Sequence, residues 1–179
     1  MNLVLIGLRA TGKSTCGRLL AERLTWDFVD TDELVCERAG RTVREIFEEG
    51  GEELFRGLES EIVKQVARKQ ETVIATGGGA ILDPENVADL RRQGFVVHLA
   101  ASPRELARRI EADANTQALR PKLLGGAGYF EELQKLMLSR ASKYSEARDA
   151  EVQVEGRTPE QIVDAILLLM RARRVMPLP

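Results

Sequence analysis

The sequence predicts an α/β fold, a parallel sheet with helices packed on its faces, and three observations carry that prediction. Short β-branched or apolar runs recur between longer stretches of helical periodicity. The first such run opens into a glycine-rich turn that feeds directly into a helical pattern. At 179 residues and 44% hydrophobic content, the chain buries one sizeable core and is short for two, so one domain over 1–179 is expected.

In chain order, the strands are expected at residues 3–6, 28–29, 73–75, 96–99 and 152–154, each an apolar or β-branched run. Between them, residues 13–24, 34–39, 43–48, 52–69, 84–93 and 103–112 read as helices, and 130–144 and 159–173 complete the set. Trp26 and the Met-containing stretches 136–138 and 167–170 read as core. Five strands make a small α/β domain. No tandem repeat or low-complexity linker marks a boundary. Residues 113–129, with Asn115, Pro121, Gly125, Gly126 and Gly128, show little periodicity, and a loop of that length is usually functional or mobile.

With 26 basic and 28 acidic residues, the net charge of −2 gives no global pull toward nucleic acid or an anionic membrane. Any anion must be held by a local arrangement. Cys16 and Cys36 lack metal or redox spacing, so a reducing cytoplasm is expected. The apolar run at residues 3–6 is far short of a membrane span, and a monomer is expected.

That local arrangement is legible in Gly7-Leu8-Arg9-Ala10-Thr11-Gly12-Lys13-Ser14, which matches G-x-x-x-x-G-K-[ST] between an expected strand and an expected helix. Its glycines let successive N–H groups converge on phosphate oxygens while the helix points its positive end at the same anion. Lys13 is expected to reach the β and γ phosphates and Ser14 to ligate Mg²⁺. A chance glycine turn with a surface lysine would lack the flanking strand and helix. A P-loop alone specifies a bound nucleoside triphosphate or similar phosphate, not an acceptor.

The acceptor side is carried by weaker pieces. Asp30-Thr31-Asp32 sets two carboxylates at the end of the second strand, as ligand groups or as caps of the next helix. Arg56 and Glu59 are i,i+3 neighbours, either a carboxylate-binding guanidinium with its partner or a solvated surface pair. Gly77-Gly78-Gly79 after the third strand lets backbone approach a ligand closely, or is a loose turn. His98, the only histidine, sits inside an apolar run and reads as a structural strand residue.

In this order the motifs resemble the shikimate kinases, P-loop proteins of the nucleoside-monophosphate-kinase-like group. The resemblance covers nearly the whole chain: the P-loop at 7–14, D-T-D at 30–32, G-E-x-x-F-R-x-x-E at 51–59, G-G-G at 77–79, R-P at Arg120-Pro121 and R-x-x-x-Y from Arg140 to Tyr144. It implies a P-loop three-layer sandwich with strand order 2-3-1-4-5 and a mobile lid at 113–129. The implied activity is transfer of the γ-phosphoryl of Mg·ATP to the shikimate 3-hydroxyl, on the route to chorismate and the aromatic amino acids.

Position by position, the resemblance implies roles for the residues. Gly7, Ala10, Thr11, Gly12, Lys13, Ser14 and Thr15 would bind the nucleotide phosphates, with Arg109, Arg157 and Pro159 about the adenine. Asp30 with Ser14 would hold Mg²⁺, and Asp32 would bind shikimate hydroxyls and accept the reacting proton. Arg56 and Arg140 would clamp the shikimate carboxylate, with Glu59, Gly77, Gly78 and Gly79 alongside and Phe47 and Phe55 walling the ring. Lys13, Asp32 and Arg120 would form the catalytic set, Arg120 from the lid. Where the family usually carries glycine this chain has Ala10, whose β-carbon calls for a negative φ. A gluconate or nucleotide kinase of the same fold, or a non-catalytic nucleotide-binding module, remains an alternative reading.

Overall fold

The computed structural model describes residues 1–112 and 128–175. Five strands form one parallel sheet: β1 (Asn2–Ile6), β2 (Asp27–Asp30), β3 (Thr72–Ala75), β4 (Gly94–Ala100) and β5 (Ala150–Gln153), in the order β2-β3-β1-β4-β5. This is the expected order. β1 is central, pairing Leu3 with Val73 on one side and Phe95 on the other. Covered on both faces, Leu3, Val4, Leu5 and Ile6 are fully buried, which is why β1 reads as an unbroken apolar run rather than an alternating one.

The helices are α1 (Lys13–Leu24), α2 (Thr31–Ala39), α3 (Val43–Val66), α4 (Pro84–Gln93), α5 (Pro103–Ala112), α6 (Tyr129–Ala147) and α7 (Pro159–Ala172). The sequence separates α3 into two helices, and the structure joins them across a kink at Gly51, whose φ of 68° and ψ of −164° leave helical space. A short 3₁₀ turn over Ala80–Leu82 was not expected. The second helix starts at Thr31 rather than at residue 34, because Asp30 accepts from the backbone N–H groups of Asp32 and Glu33 and so caps it. Tyr129, assigned by the sequence to the irregular stretch, opens α6 after Gly128. Residues 113–127, and with them Arg120 and all of the expected lid but Gly128 and Tyr129, lie outside the described residues.

Leu136 and Met170 are buried as expected, and Trp26 is half-buried against the core, but Leu138 is 75% exposed and Leu168 68% exposed. Adjacent residues on a helix lie about 100° apart, so a continuous apolar run cannot all face inward.

Because every strand pair is parallel, the five carboxyl ends share one edge of the sheet. There β1 sends its chain into the glycine turn, between β3 and β4 where the strand order reverses. Ligands in open α/β sheets sit outside that edge.

Candidate active site

The glycine turn between β1 and α1 has its shape imposed by the neighbouring strand. A β-carbon on Gly7 (φ 149°) would fall 2.5 Å from the carbonyl oxygen of Leu99, and Gly12 (φ 90°) caps α1 in the left-handed region. Alone among the described α-helices, α1 has no acidic residue in its first turn, and no side chain caps it. Its first N–H groups and its positive end are left to an anion. Lys13 curls back so that Nζ donates to the carbonyls of Gly7 and Leu8, both at 2.9 Å.

Ala10 departs from expectation: its φ is 64°, in the left-handed region, not negative. The turn needs that geometry to bring the chain from Gly7 round to Gly12, and local loop closure overrides the residue's own preference. An alanine held there is strained relative to glycine. Ala10→Gly is therefore expected to raise stability by about 0.5–1 kcal/mol net of the glycine's extra freedom when unfolded. A higher urea midpoint at unchanged m-value checks this, and a lower midpoint refutes it.

Asp30 divides its carboxylate between two tasks. Oδ1 caps α2, while Oδ2 accepts from Ser14 Oγ at 2.5 Å. The capping reading and the ligand reading of this residue are thus compatible. A hydroxyl and a carboxylate oxygen side by side at the mouth of the phosphate turn are hard oxygen donors suited to Mg²⁺, which takes one or two protein ligands and fills its shell with water and phosphate. Among the described residues no group of three or more His, Cys, Asp or Glu side chains is placed to hold a metal ion.

On one side of the turn, a cleft with a cavity volume of about 70 Å³ is lined by Asp32, Phe47, Phe55, Arg56, Glu59, Gly77, Gly78, Gly79 and Arg140. These are all of the residues that the sequence assigned to the acceptor. Phe47 and Phe55 meet across the α3 kink with ring centroids 5.1 Å apart. The three glycines each make room for a specific neighbour. A β-carbon on Gly77 would sit 2.5 Å from both Asp32 Oδ1 and Glu59 Oε1, so two carboxylates converge there. One on Gly79 would strike the Arg56 guanidinium, and one on Gly78 would come within 3.4 Å of the Gly7 carbonyl oxygen, so the cleft floor abuts the phosphate turn.

The two cleft arginines are differently engaged. Arg56 Nη1 donates to Glu59 Oε2 at 2.5 Å, and Nε and Nη2 reach Glu52 at 3.2 and 3.1 Å. Arg140, buried, donates through Nη1 to the Gly78 carbonyl at 3.0 Å, and no carboxylate among the described residues lies within ion-pair distance of it. Glu59 is 1% exposed, and its Oε1 has no hydrogen-bond partner among the described residues. Burial pushes its carboxyl above the usual range against the pull of Arg56, and Asp32 adds to the rise.

On the other side of the turn, a second recess is lined by Ala10, Thr11, Gly12, Thr15, Arg109, Arg157 and Pro159, again all predicted, together with Cys16 and Ile162. Arg109 spans it, donating to the carbonyls of Ala10 and Val154 at 3.3 Å each and to Glu105 at 2.7 Å. Burial pushes the Cys16 thiol up to about 11, which keeps it protonated and inert.

Sequence reasoning missed four participants. Thr31 Oγ1 accepts from the Gly77 N–H at 2.9 Å. Arg9 lines the cleft and pairs with the fully buried Glu132 at 2.5 Å. Tyr144, quoted only as part of a motif, donates to the Gly78 carbonyl at 2.7 Å. The available signal was the spacing Glu132, Leu136, Arg140, Tyr144, a four-residue stripe down α6 that is buried throughout. His98 keeps the structural character expected of it: burial, then Arg148 and Lys13, push its pKa down to about 4, so the ring is neutral at neutral pH.

A family model for shikimate kinase matches residues 9–171 of the chain. A shikimate kinase of Symbiobacterium thermophilum is 44% identical over 174 residues, covering 97% of this chain and 98% of that protein. One from Geobacter sulfurreducens is 41% identical, covering 95% and 91%. Among solved structures, a shikimate kinase from Acinetobacter baumannii in complex with shikimate superposes with a TM-score of 0.90 at 29% identity, covering 98% of this chain and 95% of that one.

Proposed function

The chain belongs to the shikimate kinase family, and on that premise we propose that it transfers the γ-phosphoryl of ATP to a hydroxyl of shikimate. The observation that carries this is the composition of the cleft beside the phosphate turn. It offers a buried guanidinium, Arg140, without an ion-pair partner among the described residues, beside two carboxylates, Asp32 and Glu59, one of which has a buried oxygen in need of a donor among those residues. A small acceptor bearing one carboxylate and several hydroxyls satisfies each of these groups at once.

In the proposed reaction the bond from the γ-phosphorus to the bridging oxygen of ADP breaks as a bond to the acceptor oxygen forms, and the hydroxyl proton passes to the Asp32 carboxylate. The transition state is loose, with charge spread over the γ oxygens, so placement and positive charge matter more than a strong base. Lys13 supplies charge at the phosphates, and the open N-terminus of α1 supplies more. Ser14 and Asp30 would hold Mg²⁺, which when bound neutralises charge on the phosphates. Arg140 and Arg56 hold the carboxylate of the acceptor, while Glu59 and Asp32 take its hydroxyls and Phe47 and Phe55 flank its ring. Arg109, Arg157 and Pro159 border the recess assigned to the adenine. Arg120 enters this account from the sequence resemblance alone.

A gluconate-type or nucleotide kinase would use the same phosphate turn but leaves the placing of Arg140 in one cleft with the two carboxylates without a purpose. ATP consumption is expected with shikimate and not with gluconate or nucleoside monophosphates. Turnover with one of the latter acceptors and none with shikimate would overturn the assignment, and ATP binding without turnover on any of them would leave a binding module.

A further inference from the structure

We propose that His98 is a positioning residue for the acceptor cleft, acting through Tyr144 on the Gly78 carbonyl and on Arg140. The inference rests on the acceptor reading above. His98 lies near the carboxyl end of β4, in register with Ile6, the last residue of β1 before the phosphate turn. Its neighbours Val97 and Leu99 are fully buried aliphatics, and an aliphatic side chain would serve equally if filling space were the only task. Instead the imidazole lies flat against the Tyr144 ring, centroids 4.5 Å apart and planes within 6°. Such contact between flat rings fixes both the position and the tilt of the partner.

The ring so held is the one that reaches the cleft. Tyr144 is buried, its hydroxyl donates to the Gly78 carbonyl at 2.7 Å, and that carbonyl also accepts from Arg140 Nη1 at 3.0 Å. Arg140 lies one helical turn before Tyr144 on α6, so the two donors reach the same oxygen from one face of one helix. A shift of the Tyr144 ring therefore moves the carbonyl against which the guanidinium is set. His98 is itself fixed from β5 and the residue that ends α6: its Nδ1 lies 3.1 Å from Glu151 Oε2 and 3.4 Å from Arg148 Nη1, and Arg148 and Glu151 are ion-paired with each other. A chain of contacts thus runs from β5 through His98 and Tyr144 to Gly78, with none of its outer members in the cleft.

The test compares His98→Leu, which keeps bulk and removes the flat ring, with His98→Phe, which keeps a flat ring and removes the imidazole nitrogens. The Leu variant is expected to raise KM for shikimate about three- to ten-fold, as the loss of one ring contact implies, with KM for ATP within about twofold of wild type. The Phe variant is expected to restore KM for shikimate. A folded Leu variant with wild-type KM for shikimate, or a Phe variant as impaired as the Leu variant, overturns the inference. Should the Leu variant not fold, Tyr144→Phe decides, since it removes only the hydroxyl at the end of the chain: an unchanged KM for shikimate there also overturns it. Failure of the parent reading is separate, because it appears in wild type as absence of shikimate-dependent turnover.

Discussion

Lys13→Met is expected to leave the fold standing and to lower shikimate-dependent kcat by about 10²–10³-fold or more, the loss of a cation that acts on the transferring group. The lysine is the first residue of α1, and its ammonium is drawn back over the turn by the Gly7 and Leu8 carbonyls at 2.9 Å. That places its charge where the helix N-terminus and the turn amides already favour an anion. Methionine keeps the aliphatic stem and removes only the charge and its hydrogen bonds. The structural cost falls on the turn, where the Gly7 and Leu8 carbonyls and the Thr11 hydroxyl lose a donor, about 1–3 kcal/mol, while the sheet core of Leu3, Val4, Leu5 and Ile6 is untouched. Circular dichroism and a urea melt establish folding, and ATP-saturated turnover gives the effect on the transition state. A folded variant with near wild-type kcat would show that the turn is not the phosphate site.

How much of this was legible before the structure depends on how far apart in the chain the partners are. The phosphate turn is read from eight consecutive residues because its chemistry is made by consecutive backbone, and the sheet order came with the family whose motifs these are. Arg56 and Glu59 lie three residues apart on one helix, so their pairing was visible as a possibility, though not that it would be buried. The contacts that fasten α6 to the site join residues far apart: Arg9 to Glu132 over 123 positions and Tyr144 to Gly78 over 66. No local pattern specifies such pairs, since only the folded sheet brings its carboxyl edge against α6. Ala10 failed for the opposite reason. Its identity argued for negative φ, but the turn must close between a glycine pressed on Leu99 and a glycine capping α1, and the geometry of the closure decided.

Arg140→Ala and Arg56→Ala, equivalent in sequence as the two halves of a carboxylate clamp, are expected to differ in both function and stability. Arg56 already shares its charge with Glu59 and Glu52, so a bound carboxylate meets a partly neutralised guanidinium. Arg140 has no carboxylate within ion-pair distance among the described residues, although Glu59 feels its charge, so it is less neutralised than Arg56 when a ligand arrives. Its loss removes a charge-assisted contact worth about 1.5–3 kcal/mol, so KM for shikimate should rise by about ten-fold to over 100-fold, with KM for ATP little changed. Arg56→Ala should raise KM for shikimate less.

Stability should follow the reverse order. Removing Arg140 relieves a buried cation, and Tyr144 still satisfies the Gly78 carbonyl, so Tm is expected to hold or rise. Removing Arg56 strands Glu59, 1% exposed, and should cost about 3–5 kcal/mol. The sign of its pH dependence follows from Glu59. The carboxyl is already raised by burial, and without Arg56 it rises further, so the folded state binds more protons than the unfolded one above the ordinary glutamate range of 4.5. The destabilisation of Arg56→Ala should therefore be smaller at acid pH and grow as pH rises, until Glu59 is ionised in both states. Thermal melts of the two variants between about pH 5 and 8, beside KM for each substrate, measure all of this. Equal KM effects on shikimate and ATP would remove both arginines from the acceptor site, and a Tm loss in Arg140→Ala as large as that in Arg56→Ala would show that the two guanidiniums are held by the fold in the same way.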